Sequence, residues 1–231
     1  MSEVDRVRER YSRRKQAETS SLYIPTRIDV CLSTQEKERA IIRWINNYGI
    51  APVESKRVLE VGCGTGTNLL YLISIGFKPE NLIANELLEE RANTARNRLP
   101  NATRVICGDA TALDLERESF DIVLQSTVFT SILDNQFQQR LADKMWSLTK
   151  PGGGVLWYDF VMNNPNNPDV RGVPLRRIRE LFPDGKISSW RVTLAPPINR
   201  RVTAVHPWLY SLFNCIPLLR THVLCWIEKQ E

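Results

Sequence analysis

The sequence predicts an α/β fold in which a mainly parallel sheet is covered by helices on both faces. Three observations point to it. Short apolar stretches of strand length recur at 57–61, 81–86, 103–107, 120–125 and 154–160. Helix-length stretches at 67–75, 88–98 and 134–148 separate most of them. The first strand carries an acid near its end, Glu60, and glycines follow at 62, 64 and 66 before the first of those helices. Parallel neighbours need long crossovers, and a sheet buried on both faces reads as near-continuous apolar runs.

The elements follow in order. The first 22 residues are charged and polar, Arg6, Arg8, Arg10, Arg13, Arg14 and Lys15 among them, with few apolar anchors to hold them still. They belong to an N-terminal cap segment, 1–33. Ser33-Thr34-Gln35-Glu36 ahead of Ala40, Ile41, Ile42, Trp44 and Ile45 predicts a capped helix running to about Tyr48. The alternating core fills 34–160. Beyond it the pattern loosens: a turn-rich loop at 163–168, a short helix at 175–182, and strands at 187–194 and 221–227. The stretch 202–219 has no formal charge and holds Trp208, Leu209, Tyr210, Leu212, Phe213 and Ile216. Pro207 and Pro217 interrupt it, so it is not a spanning helix. Packing as core or lid is the leading expectation, with an apolar substrate pocket or shallow membrane contact as alternatives. One domain of 231 residues accounts for the whole.

Composition narrows the function. Hydrophobic content of 42% with 25% charge is that of an ordinary globular protein. Cys31, Cys63, Cys107, Cys215 and Cys225 show no C-x-x-C spacing, and His206 and His222 cannot form a metal site alone, so no metal is implied and a reducing cytosol is expected. The net charge of +5 is uneven: residues 171–202 carry eight Arg/Lys against Glu180 and Asp184. Such a face suits an anionic partner, such as a sugar nucleotide, a lipid headgroup or a lipid-linked glycan, or is simply solvated. Nucleic acid is not expected, because aromatic residues are not interleaved with the basic ones. A monomer or homodimer is expected.

The glycine turn is the sharpest signal. Glycines let the backbone turn tightly and approach a ligand, and the following helix aims unpaired N–H groups and its positive end at the same spot. The dinucleotide fingerprint G-x-G-x-x-G would need its third glycine at 67, where Thr67 stands. An acid follows at the ribose distance, Glu86, closing the strand Leu82-Ile83-Ala84-Asn85-Glu86. Two further apolar runs, Val105-Ile106-Cys107-Gly108-Asp109-Ala110 and Phe120-Asp121-Ile122-Val123-Leu124-Gln125, precede Lys150-Pro151-Gly152-Gly153 and a last run to Asp159. In this order, over 34–160, the chain resembles the class I S-adenosylmethionine-dependent methyltransferases, and most closely their small-molecule branch, which includes ubiquinone and menaquinone C-methylases.

The resemblance implies a Rossmann-like, doubly wound seven-stranded sheet with an antiparallel last strand, and S-adenosylmethionine as cofactor. It assigns Gly62, Cys63 and Gly64 to the backbone cradle and Glu60 to the methionine amine. It gives Glu86 the ribose hydroxyls, Asp109 and Ala110 the adenine, and Gln125 a carbonyl toward the amine; Leu87 belongs to the adenosine wall. Tyr11 lies in a segment that closes over the cofactor in many relatives. Cys63 reads as a small residue fitting a tight loop rather than a nucleophile. On the acceptor side, Asp159 and His206 are the candidate general bases, and Tyr158, Asn163, Asn164 and Arg171 the candidate substrate contacts. The expected reaction is methyl transfer to a small-molecule or glycan-type acceptor, at oxygen. The alternatives are C-methylation of an apolar quinone-like acceptor, an NAD-dependent oxidoreductase, and a catalytically inactive cofactor-binding partner protein.

Overall fold

The structure is a computed structural model that describes residues 2–16, 24–163 and 167–230. Helices α1 (Glu3–Gln16) and α2 (Ile28–Asn47) lead into β1 (Val58–Val61), α3 (Thr67–Ser74), β2 (Leu82–Glu86), α4 (Glu89–Arg98) and β3 (Arg104–Cys107). Then come β4 (Phe120–Ser126), α5 (Asn135–Leu148), β5 (Thr149–Phe160), α6 (Leu175–Leu181), β6 (Gly185–Leu194), α7 (Pro196–Val205), α8 (Leu209–Asn214) and β7 (Arg220–Lys229). The seven strands form one sheet in the order β3-β2-β1-β4-β5-β7-β6. Strands β1 to β5 pair in parallel, while β7 runs antiparallel to both β5 and β6.

The strand period of two sorts side chains between two cores. On one face Leu59, Val61, Val155, Trp157 and Cys225 meet Leu141, Met145 and Leu148 of α5 and Ile178 of α6. On the other, Val58, Leu124, Leu156, Leu224 and Trp226 meet Trp44 and Ile41 of α2, Leu69 and Leu72 of α3, and Ala95 of α4. The sheet is therefore doubly wound, and the strand order reverses between β1 and β4, where an open α/β sheet leaves a crevice.

Three expectations are corrected. Helix α2 starts at Ile28 after an extended Arg27, so Ser33 and Glu36 lie inside the helix and form no capping box. Ser33 instead accepts a hydrogen bond from Asn199 of α7 at 2.9 Å, and Glu36 is buried against Arg39 at 3.0 Å. The charged N-terminus is ordered over 3–16: Val7 is buried in the core and Glu3 and Arg10 pair with each other beneath α1. Of the uncharged 202–219 stretch, Tyr210 is buried, but Val205, Trp208, Leu212, Ile216 and Leu218 face outward, so it is not chiefly core. No helix among the described residues is long and apolar enough to cross a membrane.

Candidate cofactor and active site

The tips of β1, β2, β3 and β4 converge on a cavity of about 280 Å³. Its floor is Gly62-Cys63-Gly64-Thr65 with the first turn of α3, and its walls come from Asn85-Glu86-Leu87, Gly108-Asp109-Ala110 and Ser126-Thr127-Val128. Gly62 holds φ at +67°, and a Cβ there would sit 2.5 Å from Val128 Cγ2. Gly66, at φ +81°, turns the chain into α3, where a Cβ would press to 3.0 Å on Leu99. Both positions need glycine for conformation and for room. The first-turn N–H groups of α3 have no helical carbonyl ahead of them and lie at this floor.

Two acids shape the walls. Glu86 Oε2 accepts from the Gly64 N–H at 2.8 Å and Oε1 from the Leu88 N–H at 3.0 Å, which ties the glycine turn to β2 and leaves each oxygen a lone pair. Asp109 Oδ1 accepts from the Thr111 N–H at 2.8 Å, and its other oxygen has no partner among the described residues. Between them, Asn85 donates to the Gly108 carbonyl at 3.1 Å and locks the tips of β2 and β3 together.

A third acid lies behind the floor. Glu60 is fully buried, accepts from Asn68 Nδ2 at 2.6 Å through Oε1, and leaves Oε2 without a partner among the described residues. Burial pushes its pKa up to about 7, against the opposing pull of the Asn68 hydrogen bond and the Lys37 charge. Lys37 of α2 donates to Asn68 Oδ1 at 2.6 Å, and desolvation lowers its pKa. Asn68 is thus held at both ends of its amide while it lines the cavity.

Helix α1 forms the roof. Val4, Val7 and Tyr11 line the cavity, and the Arg91 guanidinium of α4 lies 5.0 Å over the Tyr11 ring. The roof is pinned from below: Arg10 donates to the Ser131 carbonyl at 3.1 Å, and Glu3, its ion-pair partner, accepts from the Leu133 N–H at 3.0 Å.

The structure brings Gly62, Cys63, Gly64, Glu86, Leu87, Asp109, Ala110 and Tyr11 together around one space. Glu60 and Gln125 stand just behind it. Gln125 is buried, and its side chain accepts from the Val128 N–H at 3.1 Å, shaping the wall rather than forming it. Cys63 is buried, and burial raises its thiol pKa above the ordinary range, which disfavours the thiolate.

The acceptor-side candidates are not gathered in the same way. Asp159 is fully buried on the α5 face, accepting from Thr130 Oγ1 at 2.7 Å and N–H at 3.2 Å, and from the Phe160 N–H at 3.0 Å. Burial pushes its pKa up to about 7. Tyr158 faces the opposite core, bonded to Thr193 Oγ1 at 2.9 Å and stacked on His222 at 5.2 Å. His206 is exposed beyond α7, with Nδ1 accepting from the Trp208 N–H at 3.2 Å. Asn163 accepts from the Gly172 N–H at 2.9 Å, Arg171 donates to Asn135 Oδ1, and Asn164 lies outside the described residues. None of the five described side chains lines the cavity.

Sequence reasoning missed Asn68, Arg91, Val128, Ser131 and the apolar side made by Ile132, Phe137 and Leu141. Asn68 carried a signal, the second residue of a helix opening on a glycine turn. The apolar side carried none, because Ile132, Phe137 and Leu141 sit together just before and within α5, where apolar residues read equally as core, and only the fold turns them toward the cavity.

Residues 58–153 match the family model described as a methyltransferase domain, which spans the glycine turn and all four strand tips. This core of the chain is similar to the class I S-adenosylmethionine-dependent methyltransferases. Over 131 residues it is 29% identical to a demethylmenaquinone methyltransferase of Clavibacter sepedonicus, covering 56% of this chain and 50% of that one. Over 110 residues it is 36% identical to a fatty-acid O-methyltransferase of Mycolicibacterium smegmatis, covering 47% and 39%. The chain matches half or less of the length of these curated relatives. A magnesium protoporphyrin IX methyltransferase structure from Synechocystis aligns with TM-score 0.68 over 98% of this chain and 100% of that one, at 12% identity, a likeness of fold.

Two features of this cavity fit S-adenosylmethionine. The floor at Gly62 is open only because no Cβ fills it, which suits close passage of a flat or extended ligand. Behind the floor, the buried Glu60 oxygen without a partner among the described residues is an acceptor that would suit a cationic group.

Proposed function

We propose that the protein transfers the methyl group of S-adenosylmethionine to an oxygen of an anionic small-molecule acceptor, a carboxylate being the chemistry that fits best. When bound, S-adenosylmethionine supplies a methyl on a sulfonium, so the nucleophile forms its bond as the carbon–sulfur pair leaves with sulfur. The chain's own residues bind and orient. Glu86 takes the ribose hydroxyls on the lone pairs its backbone bonds leave open, and the unpartnered Asp109 oxygen takes the adenine amino group. Glu60, steadied through Asn68, favours the methionine ammonium. Helix α1 covers the site with Tyr11 and keeps water out.

One observation carries the preference for a carboxylate. A neutral alcohol needs a base near the reacting oxygen, yet Glu86 and Asp109, the two acids lining the cavity among the described residues, are engaged by backbone N–H groups. A carboxylate arrives already ionised at neutral pH. The net charge of +5 draws anions, and the fatty-acid O-methyltransferase relative supports the same chemistry. The apolar side at Ile132, Phe137 and Leu141, with the demethylmenaquinone relative, favours C-methylation of an apolar ring as the second reading.

Radiolabelled methyl donor offered with fatty acids, aryl carboxylates, glycan carboxylates and demethylated quinones separates the two. Label that mild alkali releases as methanol is a methyl ester and supports the proposal. Alkali-stable label on the quinone ring would replace it with the second reading.

A further inference from the structure

The insertion between β6 and β7 is built unlike the rest of the surface. Trp208, Leu212 and Ile216 are spaced by four along and just past α8, so they share one face, and Tyr210 and Asn214 turn inward. Trp208 is 63% exposed, with Val205 at 78% before it and Leu218 at 85% after it. A run of outward apolar side chains this long is rare on a monomeric protein without a partner.

The charges carried by the insertion itself and the strand leading into it have one sign, while the acids of α2 packed against it, Asp29 and Glu36, are buried and paired with Arg27 and Arg39. Residues 185–227 contain no Asp or Glu, but do contain Lys186, Arg191, Arg200, Arg201 and Arg220. Arg201 lies one turn before Val205 on the same face of α7. At the other end Arg191 and Arg220 exchange hydrogen bonds with each other's carbonyls at 3.2 and 3.0 Å, next to the turn that carries Leu218. No ion pair engages Arg191, Arg200, Arg201 or Arg220 among the described residues. Lys186 alone has an acid, Glu228 at 3.3 Å.

We infer that the α7–α8 elbow docks on an anionic lipid surface, with Trp208, Leu212, Ile216 and Leu218 entering the headgroup boundary and Arg191 and Arg201 meeting the phosphates. Tryptophan and aliphatic side chains flanked by arginine suit that boundary, where a ring is half apolar and cations are attracted. A second copy of this chain suits it less: a two-fold contact would oppose like arginines with no acid in 185–227 to pair them. Strand β6 runs antiparallel to β7, and β7 antiparallel to β5, so the elbow leaves β6 at the end of the sheet that holds the cofactor cavity. Docking would therefore turn that end toward the bilayer, where an apolar acceptor partitions. The inference does not rest on the reaction proposed above.

The test is co-sedimentation of the full chain with vesicles of phosphatidylcholine alone or mixed with phosphatidylglycerol, at low and high salt. Binding is expected on the mixed vesicles only, and to weaken with salt. It should fall about thirtyfold in Arg191→Gln/Arg201→Gln and be lost in Trp208→Ser/Leu218→Ser. Calorimetric binding of S-adenosylhomocysteine, unchanged in both double variants, shows that they fold. Failure of the wild-type chain to sediment with either vesicle overturns the inference. So does a wild-type dimer in sedimentation velocity that Trp208→Ser/Leu218→Ser makes monomeric.

Discussion

Glu60 gives the cofactor site a titration that can be measured. In the free protein its carboxyl has a pKa of about 7, because burial outweighs the Asn68 hydrogen bond and the Lys37 charge. A ligand ammonium beside the unpartnered Oε2 would favour the ionised form and return the pKa toward the ordinary carboxylate value. Binding then drives a proton off Glu60. If only the ionised form binds well, affinity should rise about 16-fold from pH 5.5 to pH 7, the ratio of ionised fractions for a group of pKa about 7. Close to pH 8 the ligand's own amino group begins to lose its proton, which caps the rise. Titration calorimetry with S-adenosylhomocysteine in buffers of differing ionisation enthalpy should report release of about 0.9 proton at pH 6. Lys37, Glu86 and Cys63 also face Glu60, so the variant decides the assignment. Glu60→Gln keeps the acceptor for Asn68 and removes the charge, and should abolish both the pH dependence and the proton release. A wild-type affinity flat across this window with no buffer dependence would refute the reasoning, as would a Glu60→Gln protein that keeps both effects.

Other outcomes follow from the same geometry. Gly62→Ala forces a Cβ to 2.5 Å from Val128 at φ +67°, and should cost about 1–3 kcal/mol in urea unfolding and weaken cofactor binding at least tenfold. Gly62→Ala/Val128→Ala should recover the steric part but not the conformational part. Arg10→Ala takes from the buried Glu3 carboxylate its closest cation, leaving Arg6 at 3.7 Å, and removes the bond to Ser131, so α1 should undock: limited proteolysis would cut within 3–16 and cofactor release would speed up. Asp159 has its folded pKa raised to about 7, so folding disfavours its ionisation: its contribution is complete below about pH 4 and is lost as pH rises through 7. Denaturation of Asp159→Asn should accordingly show a smaller loss of stability between pH 5 and pH 8 than wild type. A variant with the full wild-type slope would remove Asp159 from the account.

The cofactor side was legible because it is local. The turn at Gly62, the acid at Glu86 and the segment at Asp109 are each a strand tip followed by a few residues, and their contacts are largely backbone. Such a site is written in contiguous sequence, and spacing along the chain becomes spacing in the cavity through the parallel register of β1, β2 and β4. The roof was not legible. Residues 3–16 have charged spacing typical of a solvated helix, and what docks them is Ser131 and Leu133, more than a hundred positions away. The 202–219 stretch misled for a related reason: its apolar content suggested burial, while only the fold decides which face of α8 has a neighbour.

Asp159 shows how a strand-end acid can matter without touching a ligand. Glu60 and Asp159 both lie near the ends of parallel strands of one sheet, β1 and β5 on either side of β4, yet alternation sends them to opposite faces. Glu60 points toward α2 and α3, and Asp159 toward the turn that follows β4. There it accepts from both the hydroxyl and the N–H of Thr130, fixing the backbone one residue before Ser131. The Ser131 carbonyl takes Arg10, and its side chain meets the Tyr11 hydroxyl at 3.4 Å. The route from β5 to the roof is thus four groups long and wholly polar, and it runs through a buried core where a lost partner is expensive. A carboxylate placed to hold that turn keeps α1 seated over the cavity, which is a sufficient reason for an acid at this strand end without any proton passing to a substrate.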